Sequence, residues 1–248
     1  MRQLIPPSRC TSSLPDDLEK DYLVGEEKLD GSRYVLYLGG DPYERQKKHA
    51  LLSRRVSTVD SKHVDRTGNV PHIVGQEYRG LEGTTLDGEI QADDFLKTNS
   101  IMNSSPALAA QKQKEIGPVT YHVFDVLEFR GKDVRGLPLE KRRKILEEVC
   151  RRMNNPFVKP VEQVKGDLQA YFNRIVAKGG EGIIVKDLRQ GYGCGWAKMK
   201  KSYDVSCIVS GWKPGNGKYA SSIGALALSV LHDGKLVEIG FASGFDDE

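Results

Sequence analysis

The hexapeptide Lys28-Leu29-Asp30-Gly31-Ser32-Arg33 decides how the rest of this chain is interpreted. An Asp-Gly pair directly before an alternating apolar run, here Tyr34 to Leu38, is a strong signal for a turn that leads into a β-strand. Such a turn would hold Lys28 and Arg33 at the edge of one pocket. The pattern suits either a charged surface hairpin or a covalent lysine nucleophile. Chemical partners further along the chain decide between the two.

Four later segments carry side chains that suit nucleotide chemistry. They are Leu86-Asp87-Gly88-Glu89-Ile90, Tyr121 to Leu127, Gly179 to Lys186 with Glu181 among its glycines, and Trp196-Ala197-Lys198-Met199-Lys200. In the last segment, strand alternation places Lys198 and Lys200 on one face. Cations neutralise phosphates, carboxylates hold a divalent metal, and an aromatic ring stacks on a base. Together with Lys28, these residues predict nucleotidyl transfer through a lysine nucleophile.

The apolar pattern predicts a mixture of short strands and separate helices. Helical spacing predicts helices over 99–115, from Pro138 onward, and over 167–178. This mixture favours an α+β fold with antiparallel sheets over a doubly wound parallel fold. The sequence has no Gly-x-x-x-x-Gly-Lys-Ser/Thr loop, so a Walker-type phosphate site is not expected.

The composition is that of an ordinary globular protein and not of a polycation. The 248 residues carry a formal net charge of +3, with 29% charged and 38% hydrophobic residues. The four cysteines lie far apart without a Cys-x-x-Cys pair, which predicts neither a zinc knuckle nor a disulfide framework. No segment has a secretory pattern or transmembrane length. We therefore expect a cytoplasmic protein with no membrane association. It would be either a bacterial protein or a viral or phage protein that acts in the cytoplasm of the host cell.

In their order and residue pattern these segments resemble the adenylation domain of the ATP-dependent DNA ligases, within the covalent nucleotidyltransferase superfamily. The lysine element is Lys28 to Arg33, and the later matches, in the family's order, are Glu89, Phe124-Asp125, Glu181-Gly182 and Lys198-x-Lys200. The similarity covers roughly residues 20 to 245. A single Asp-Gly-Glu occurs by chance, whereas five matching elements in order are a specific signature.

The resemblance implies two domains. Residues 1–201 would form the adenylation domain, a nucleotidyltransferase (ATP-grasp-like) fold with antiparallel sheets and flanking helices, and residues 202–248 the start of an OB-fold domain. The second segment has three strand-like runs, over 205–212, 226–231 and 236–241, where an OB barrel has five strands. We therefore expect a truncated, partial β domain without the family's basic element near the end of the barrel. Because that element orients the pyrophosphate leaving group, the first step is expected to be impaired.

The resemblance also implies a reaction. Lys28 would take AMP from ATP, AMP would pass to the 5′-phosphate of a nick, and the adjacent 3′-hydroxyl would displace it. Lys198 and Lys200 would be catalytic by neutralising the α-phosphate, and Arg54 would contact the nick phosphate. The implied cofactors are ATP and Mg²⁺ (or Mn²⁺), and the implied partner is nicked double-stranded DNA. A monomer that serves DNA replication, repair and recombination is expected.

Nine residues are implied to contact the nucleotide. Phe124 would stack on adenine, although a phenylalanine in an apolar strand is usually core. Glu26 would accept from the adenine amino group, although an exposed carboxylate explains it equally well. Glu89 and Glu181 would hold the metal. The full nucleotide-contact set is Glu26, Lys28, Arg33, Glu89, Phe124, Glu181, Lys186, Lys198 and Lys200.

Three other functions remain open at this point. An mRNA-capping guanylyltransferase shares the Lys-x-Asp-Gly-x-Arg element, but the run from Glu181 to Lys186 resembles the ligase wording more closely. An RNA ligase differs only in its substrate. A catalytically weak nick-binding fragment is suggested by the missing barrel strands.

Overall fold

The computed structural model describes residues 5, 7–8, 10, 13–44, 48–201 and 205–244, which form mostly antiparallel sheets with helices between the strands. The strands are β1 (Leu23–Glu27), β2 (Ser32–Leu38), β3 (His49–Val56), β4 (His63–Asp65), β5 (Thr84–Gln91), β6 (Thr120–Phe129), β7 (Lys132–Asp133), β8 (Val158–Pro160), β9 (Gln163–Val164), β10 (Gly182–Asp187), β11 (Trp196–Lys200), β12 (Ile208–Pro214), β13 (Ile223–His232) and β14 (Lys235–Ser243). The helices are α1 (Pro71–Val74), α2 (Phe95–Met102), α3 (Pro106–Ile116), α4 (Leu139–Met153) and α5 (Leu168–Ala177), with 3₁₀ turns at Thr67–Asn69 and Gly217–Tyr219. The predicted α+β class is confirmed.

The chain divides into two compact units, 1–201 and 202–248. The first unit contains a seven-stranded sheet, in the order β4-β3-β2-β5-β6-β7 with β8 parallel to β6, and a four-stranded sheet in the order β11-β10-β1-β9. The second unit contains the antiparallel sheet β12-β13-β14. The assignment of the first unit to an adenylation domain and of the second to an OB fold stays a prediction.

Both faces of strand β2 are buried, which explains its continuous apolar sequence. Leu36 faces the larger core, which is packed between the seven-stranded sheet and helices α1 to α4. Tyr37 faces the opposite side, where Leu52, Leu127 and Ile5 form a smaller core. Strand alternation therefore divides one apolar run between two cores.

The single helix predicted over 99–115 is in fact two helices, α2 and α3. Pro106 disfavours helical backbone angles at the residue before it, and Ser105 is extended, with φ −63° and ψ 155°. The Ser105 hydroxyl accepts a hydrogen bond from the Leu108 N–H at 3.4 Å and so caps α3. The Ser-Pro pair therefore ends one helix and starts the next.

A wholly buried ion pair fixes strand β6 to helix α4. The Arg142 guanidinium donates from Nε and Nη2 to the two carboxylate oxygens of Asp125, at 2.7 and 2.9 Å, and both side chains are 0% exposed. Nη1 of Arg142 donates to the backbone oxygens of Leu137 and of Gln190. One side chain thus holds three segments together, including the one that carries Phe124.

No helix among the described residues combines the length and the apolar character that a membrane crossing requires.

We expect the buried histidines to lower the free energy of unfolding as the pH falls from about 7 to about 5. Burial lowers the pKa of His49, His72 and His122. Nδ1 of His49 accepts from the Gly39 N–H at 3.2 Å, and Nε2 lies 3.0 Å from the Gln76 carbonyl oxygen, so only the neutral ring keeps both bonds. Below a pH of about 6.5 the unfolded chain binds more protons than the folded chain, and stability is lost. Guanidinium unfolding curves at the two pH values measure the effect.

The exposed ring of His232 offers the matched control, since His232→Asn should leave the pH dependence unchanged. The raised pKa of Glu89 acts in the opposite direction over the same range, so the histidine contribution is measured as the change in pH dependence caused by His49→Gln. An unchanged pH dependence in His49→Gln would show that the buried ring is not held neutral.

Candidate active site

A cavity of about 480 Å³ lies between the seven-stranded and the four-stranded sheet of the first unit. Eight of the residues singled out in the sequence line it: Glu26, Lys28, Arg33, Arg54, Glu89, Phe124, Lys186 and Lys198. Glu181 and Lys200 are not among its lining residues: Glu181 contacts the lining residue Lys28, and Lys200 contacts Glu181. The structure therefore brings the predicted set together around one space.

The Lys28–Arg33 element connects the two sheets. Its turn is not the tip of a hairpin, because β1 belongs to the four-stranded sheet and β2 to the seven-stranded sheet. The Lys28 N–H donates to the Gly182 carbonyl oxygen at 2.9 Å, which keeps the lysine beside β10. A Cβ on Gly31 would lie 2.4 Å from the Ile90 carbonyl oxygen, so only glycine fits the crossing.

Glu181 bridges two lysines at the edge of the cavity. It directly precedes β10, and its two carboxylate oxygens accept from Nζ of Lys28 and from Nζ of Lys200. Burial by itself would raise the pKa of Glu181, but the hydrogen bonds and charges of Lys200 and Lys28 hold it below its ordinary value. The bridge fixes where the Lys28 amine enters the cavity.

Glu26 is 2% exposed, which excludes the interpretation of an ordinary exposed carboxylate. Its Oε2 lies 2.6 Å from Nζ of Lys186, and its Oε1 accepts from the Gln163 amide at 2.8 Å. A buried carboxylate is tolerated only with such partners. Glu26 is therefore held at a fixed place in the cavity wall.

An aromatic corner adjoins this pair. Phe124 and Trp196 lie edge to face with ring centroids 6.1 Å apart, and Nζ of Lys186 lies 4.9 Å from the Phe124 centroid and 4.3 Å from that of Trp196. Such ring faces attract a cation. Trp196, which was not among the residues predicted to contact the nucleotide, also lines the cavity. The alternation that places Lys198 and Lys200 on one face of β11 also includes Trp196.

Arg33 is held by a network that the sequence did not reveal. Nε and Nη2 donate to the buried carboxylate of Asp87 at 3.0 and 2.5 Å, Nη2 also reaches the Tyr192 hydroxyl at 3.2 Å, and Nη1 donates to the Ser8 carbonyl oxygen at 2.6 Å. Burial alone would lower the pKa of Arg33, but the Asp87 charge raises it overall. Among the described residues, these bonds leave one of the five guanidinium N–H groups for a ligand.

Glu89 lines the cavity as a half-buried carboxyl group. Burial raises the pKa of Glu89 to about 8. The positive charge of Arg33 lowers this pKa, and the negative charge of Asp87 raises it further. A cation bound beside it would favour the ionised form. The described residues contain no group of three or more His, Cys, Asp or Glu side chains placed to hold a metal. The single carboxylate of Glu89 nevertheless fits Mg²⁺, which usually takes one or two carboxylates and completes its shell with phosphate oxygens and water.

Most of the charged lining residues are cations. They are Lys28, Arg33, Arg54, Arg55, Arg66, Lys186 and Lys198, and the acids are Glu26, Glu27, Asp30 and Glu89. Arg55 and Arg66 were not singled out in the sequence, although Arg55 follows Arg54 directly. A cavity of this charge suits a polyphosphate ligand.

Solved structures of DNA ligases share this fold. One, from a study of DNA binding with a minimal scaffold by Lig E DNA ligases, matches with a TM-score of 0.70 at 20% sequence identity, covering 98% of this chain and 86% of that chain. The ATP-dependent DNA ligase from bacteriophage T7, in complex with ATP, matches with a TM-score of 0.57 at 18% identity, covering 94% of this chain and 80% of that chain.

Proteins with a similar sequence are also named DNA ligase. The DNA ligase of Nitrosopumilus maritimus is 27% identical over 245 residues, which cover 91% of this chain and 40% of the relative. The DNA ligase of Methanocorpusculum labreanum is 29% identical over 248 residues, which cover 91% of this chain and 41% of the relative. The chain thus spans about two fifths of the length of these relatives. The family model described as "ATP dependent DNA ligase domain" matches residues 8–202. The chain belongs to the family of ATP-dependent DNA ligase domains.

Proposed function

We propose that this chain performs the nucleotidyl transfer of an ATP-dependent DNA ligase, sealing 5′-phosphate/3′-hydroxyl nicks in duplex DNA through a Lys28–AMP intermediate. The observation that carries the proposal is the position of Lys28 at the edge of a cationic cavity that also contains an aromatic corner and a fixed carboxylate. The cations suit the phosphates of ATP, the aromatic corner suits the adenine ring, and the carboxylate suits the exocyclic amino group of adenine. Nicked duplex DNA, a monomeric state and a cytoplasmic role in replication, repair and recombination are part of the same proposal.

Adenine would bind between the aromatic corner and Glu26. The Phe124 ring offers a face for stacking, and each oxygen of Glu26 keeps a second lone pair for the exocyclic amino group of adenine. Nζ of Lys186, 2.6 Å from Glu26, holds the carboxylate acceptor in place. Guanine presents a carbonyl oxygen in place of this amino group and would face the carboxylate with repulsion.

The first step joins the Lys28 nitrogen to the α-phosphorus of ATP and breaks the bond to pyrophosphate. An amine attacks only after losing its ammonium proton, and the Glu181 carboxylate is the acceptor in contact with Nζ of Lys28. Lys200, on the other oxygen of Glu181, and Lys198 would offset negative charge on the phosphate. AMP then passes to the 5′-phosphate of the nick, near Arg54, and the 3′-hydroxyl displaces it.

Mg²⁺ would be held by Glu89, with Glu181 as the second candidate carboxylate. When bound, the metal supplies charge neutralisation on the phosphates. Arg33 would bind the ribose or a phosphate through its remaining N–H, while its other N–H groups hold the guanidinium in position.

Labelling in parallel with α-labelled ATP and α-labelled GTP, followed by sealing assays on nicked DNA and nicked RNA, tests the proposal. The expected result is an adduct from ATP and sealing of nicked DNA. An adduct from GTP alone would identify a capping-type guanylyltransferase, and sealing confined to nicked RNA would identify an RNA ligase.

Replacing Phe124 with alanine is expected to raise the ATP concentration needed for half-maximal adduct formation about 5- to 150-fold, because base stacking on an aromatic ring contributes about 1–3 kcal/mol. Phe129→Ala, at the far end of the same strand and outside the cavity lining, is the matched control. Titration of adduct yield against ATP measures both. Equal effects of the two substitutions would mean that Phe124 acts only as a packing residue.

A further inference from the structure

Residues 54–63, here called the basic hairpin, extend beyond the edge of β2. Strand β3 pairs with β2 only as far as Ser53, and beyond that point it pairs only with β4, through Val56 and His63. The tip has its own hydrogen bonds: the Ser57 N–H donates to the Lys62 carbonyl oxygen at 2.7 Å, and the Lys62 N–H donates to Asp60 at 3.2 Å. The hairpin is therefore an ordered projection.

The cations of the basic hairpin are exposed. Arg54, Arg55 and Lys62 form no ion pair among the described residues, and Nζ of Lys62 lies 5.5 Å from the centroid of the Tyr43 ring. The acid of the hairpin, Asp60, is engaged by the backbone of the turn. Arg54 and Arg55 also line the cavity, so the cationic surface continues from the cavity onto the hairpin. Exposed cations without carboxylate partners suit a polyanion.

The tip also carries an apolar side chain that the fold does not bury. Val59 is 95% exposed, and it lies between the cations of β3 and Lys62 in the chain. Proteins that bind the minor groove of DNA combine basic side chains with apolar side chains that insert at base steps.

We propose that the basic hairpin is a second contact to duplex DNA, in which Arg55 and Lys62 bind backbone phosphates and Val59 lies against the minor groove. The inference rests on the proposed function, because the hairpin begins at the cavity where the nick would lie. It adds a grip on the flanking duplex at a distance from the reacting phosphate. Lys62 and Val59 do not line the cavity, so they act on DNA binding and not on the nucleotide.

The test uses Lys62→Glu and Val59→Asp, with Lys132→Glu as the matched control. Lys132 is an exposed lysine on β7, at the opposite edge of the same sheet. Fluorescence anisotropy with a labelled nicked DNA duplex, repeated at several salt concentrations, gives the affinity and its salt dependence. We expect Lys62→Glu and Val59→Asp each to weaken binding at least about fivefold, and Lys62→Glu to reduce the slope of log affinity against log salt by about 1. Lys132→Glu should bind like the unsubstituted chain.

Adduct formation from ATP needs no DNA, so Lys62→Glu and Val59→Asp should form the lysine–AMP adduct at the unsubstituted rate. This readout separates the two proposals: a chain that binds the duplex but forms no adduct contradicts the proposed function and leaves the hairpin inference standing. Unchanged duplex binding by both hairpin variants overturns the inference. An equal loss in Lys132→Glu overturns it as well, since the effect would then follow from net charge alone.

Discussion

Lys28→Ala is expected to abolish the covalent AMP adduct and to reduce nick sealing from ATP by at least about a thousandfold, because removal of a nucleophile leaves only the binding contributions to the rate. Two other lysines of the site are held by carboxylates, Lys186 by the buried Glu26 and Lys200 by Glu181, and Lys198 is assigned to the phosphate charge. Gel detection of the labelled adduct and a sealing assay on nicked DNA measure the two effects.

Lys28→Arg separates the nucleophile from its charge. Arginine keeps a cation for Glu181, but its guanidinium stays protonated in proteins and does not attack phosphorus. The variant should therefore fold normally and still form no adduct. On DNA that already carries AMP at the nick, Lys28→Ala should retain sealing activity, since the last step does not use the amine. Adduct formation by either variant would remove Lys28 as the nucleophile.

The largest expected effect on stability belongs to the buried Arg142–Asp125 pair. Arg142→Ala leaves the Asp125 carboxylate buried without its partner and also removes the donor to the Leu137 and Gln190 carbonyl oxygens. Breaking a buried pair from one side costs about 3–5 kcal/mol. We expect a decrease of this size in the free energy of unfolding, measured by guanidinium denaturation.

The double variant Arg142→Met, Asp125→Leu tests the physical cause. When both charges are replaced by apolar side chains, the cost of burying the Asp125 charge alone disappears, and that part of the loss should be recovered. The part due to the carbonyl oxygens of Leu137 and Gln190 should remain, because methionine donates to neither. Arg151→Ala removes one side of an exposed pair with Glu148 and should cost less than about 1 kcal/mol. A similar small loss for Arg142→Ala would mean that water reaches Asp125 in the folded chain.

Residue positions that follow from a local turn or from strand alternation could be predicted from the sequence. The Asp-Gly turn indicated the position of Lys28, and strand alternation placed Lys198 and Lys200 on one face of β11. The same alternation contains Trp196, which lines the cavity, so the sequence signal for this residue was present although it was not among the predicted site residues. The pair Ser105-Pro106 is the sequence signal for the break between α2 and α3, and the prediction of a single helix over 99–115 did not use it.

Contacts between distant segments were not predictable from one sequence. The Tyr192 hydroxyl meets Arg33 across 159 positions of the chain, and no local pattern marks either residue as the partner of the other. Glu26 has the sequence environment of an exposed carboxylate, and its burial follows only from the meeting of β1, β9 and β10. The crossing of the Lys28–Arg33 element between two sheets is likewise a property of the assembled fold.

Lys28 as the nucleophile is tested most directly by peptide mapping with mass spectrometry after incubation of the protein with ATP and Mg²⁺. We expect one added AMP, on the peptide that contains Lys28, and its loss in Lys28→Ala. An AMP on another lysine, or no adduct under conditions in which the folded chain binds ATP, would contradict it.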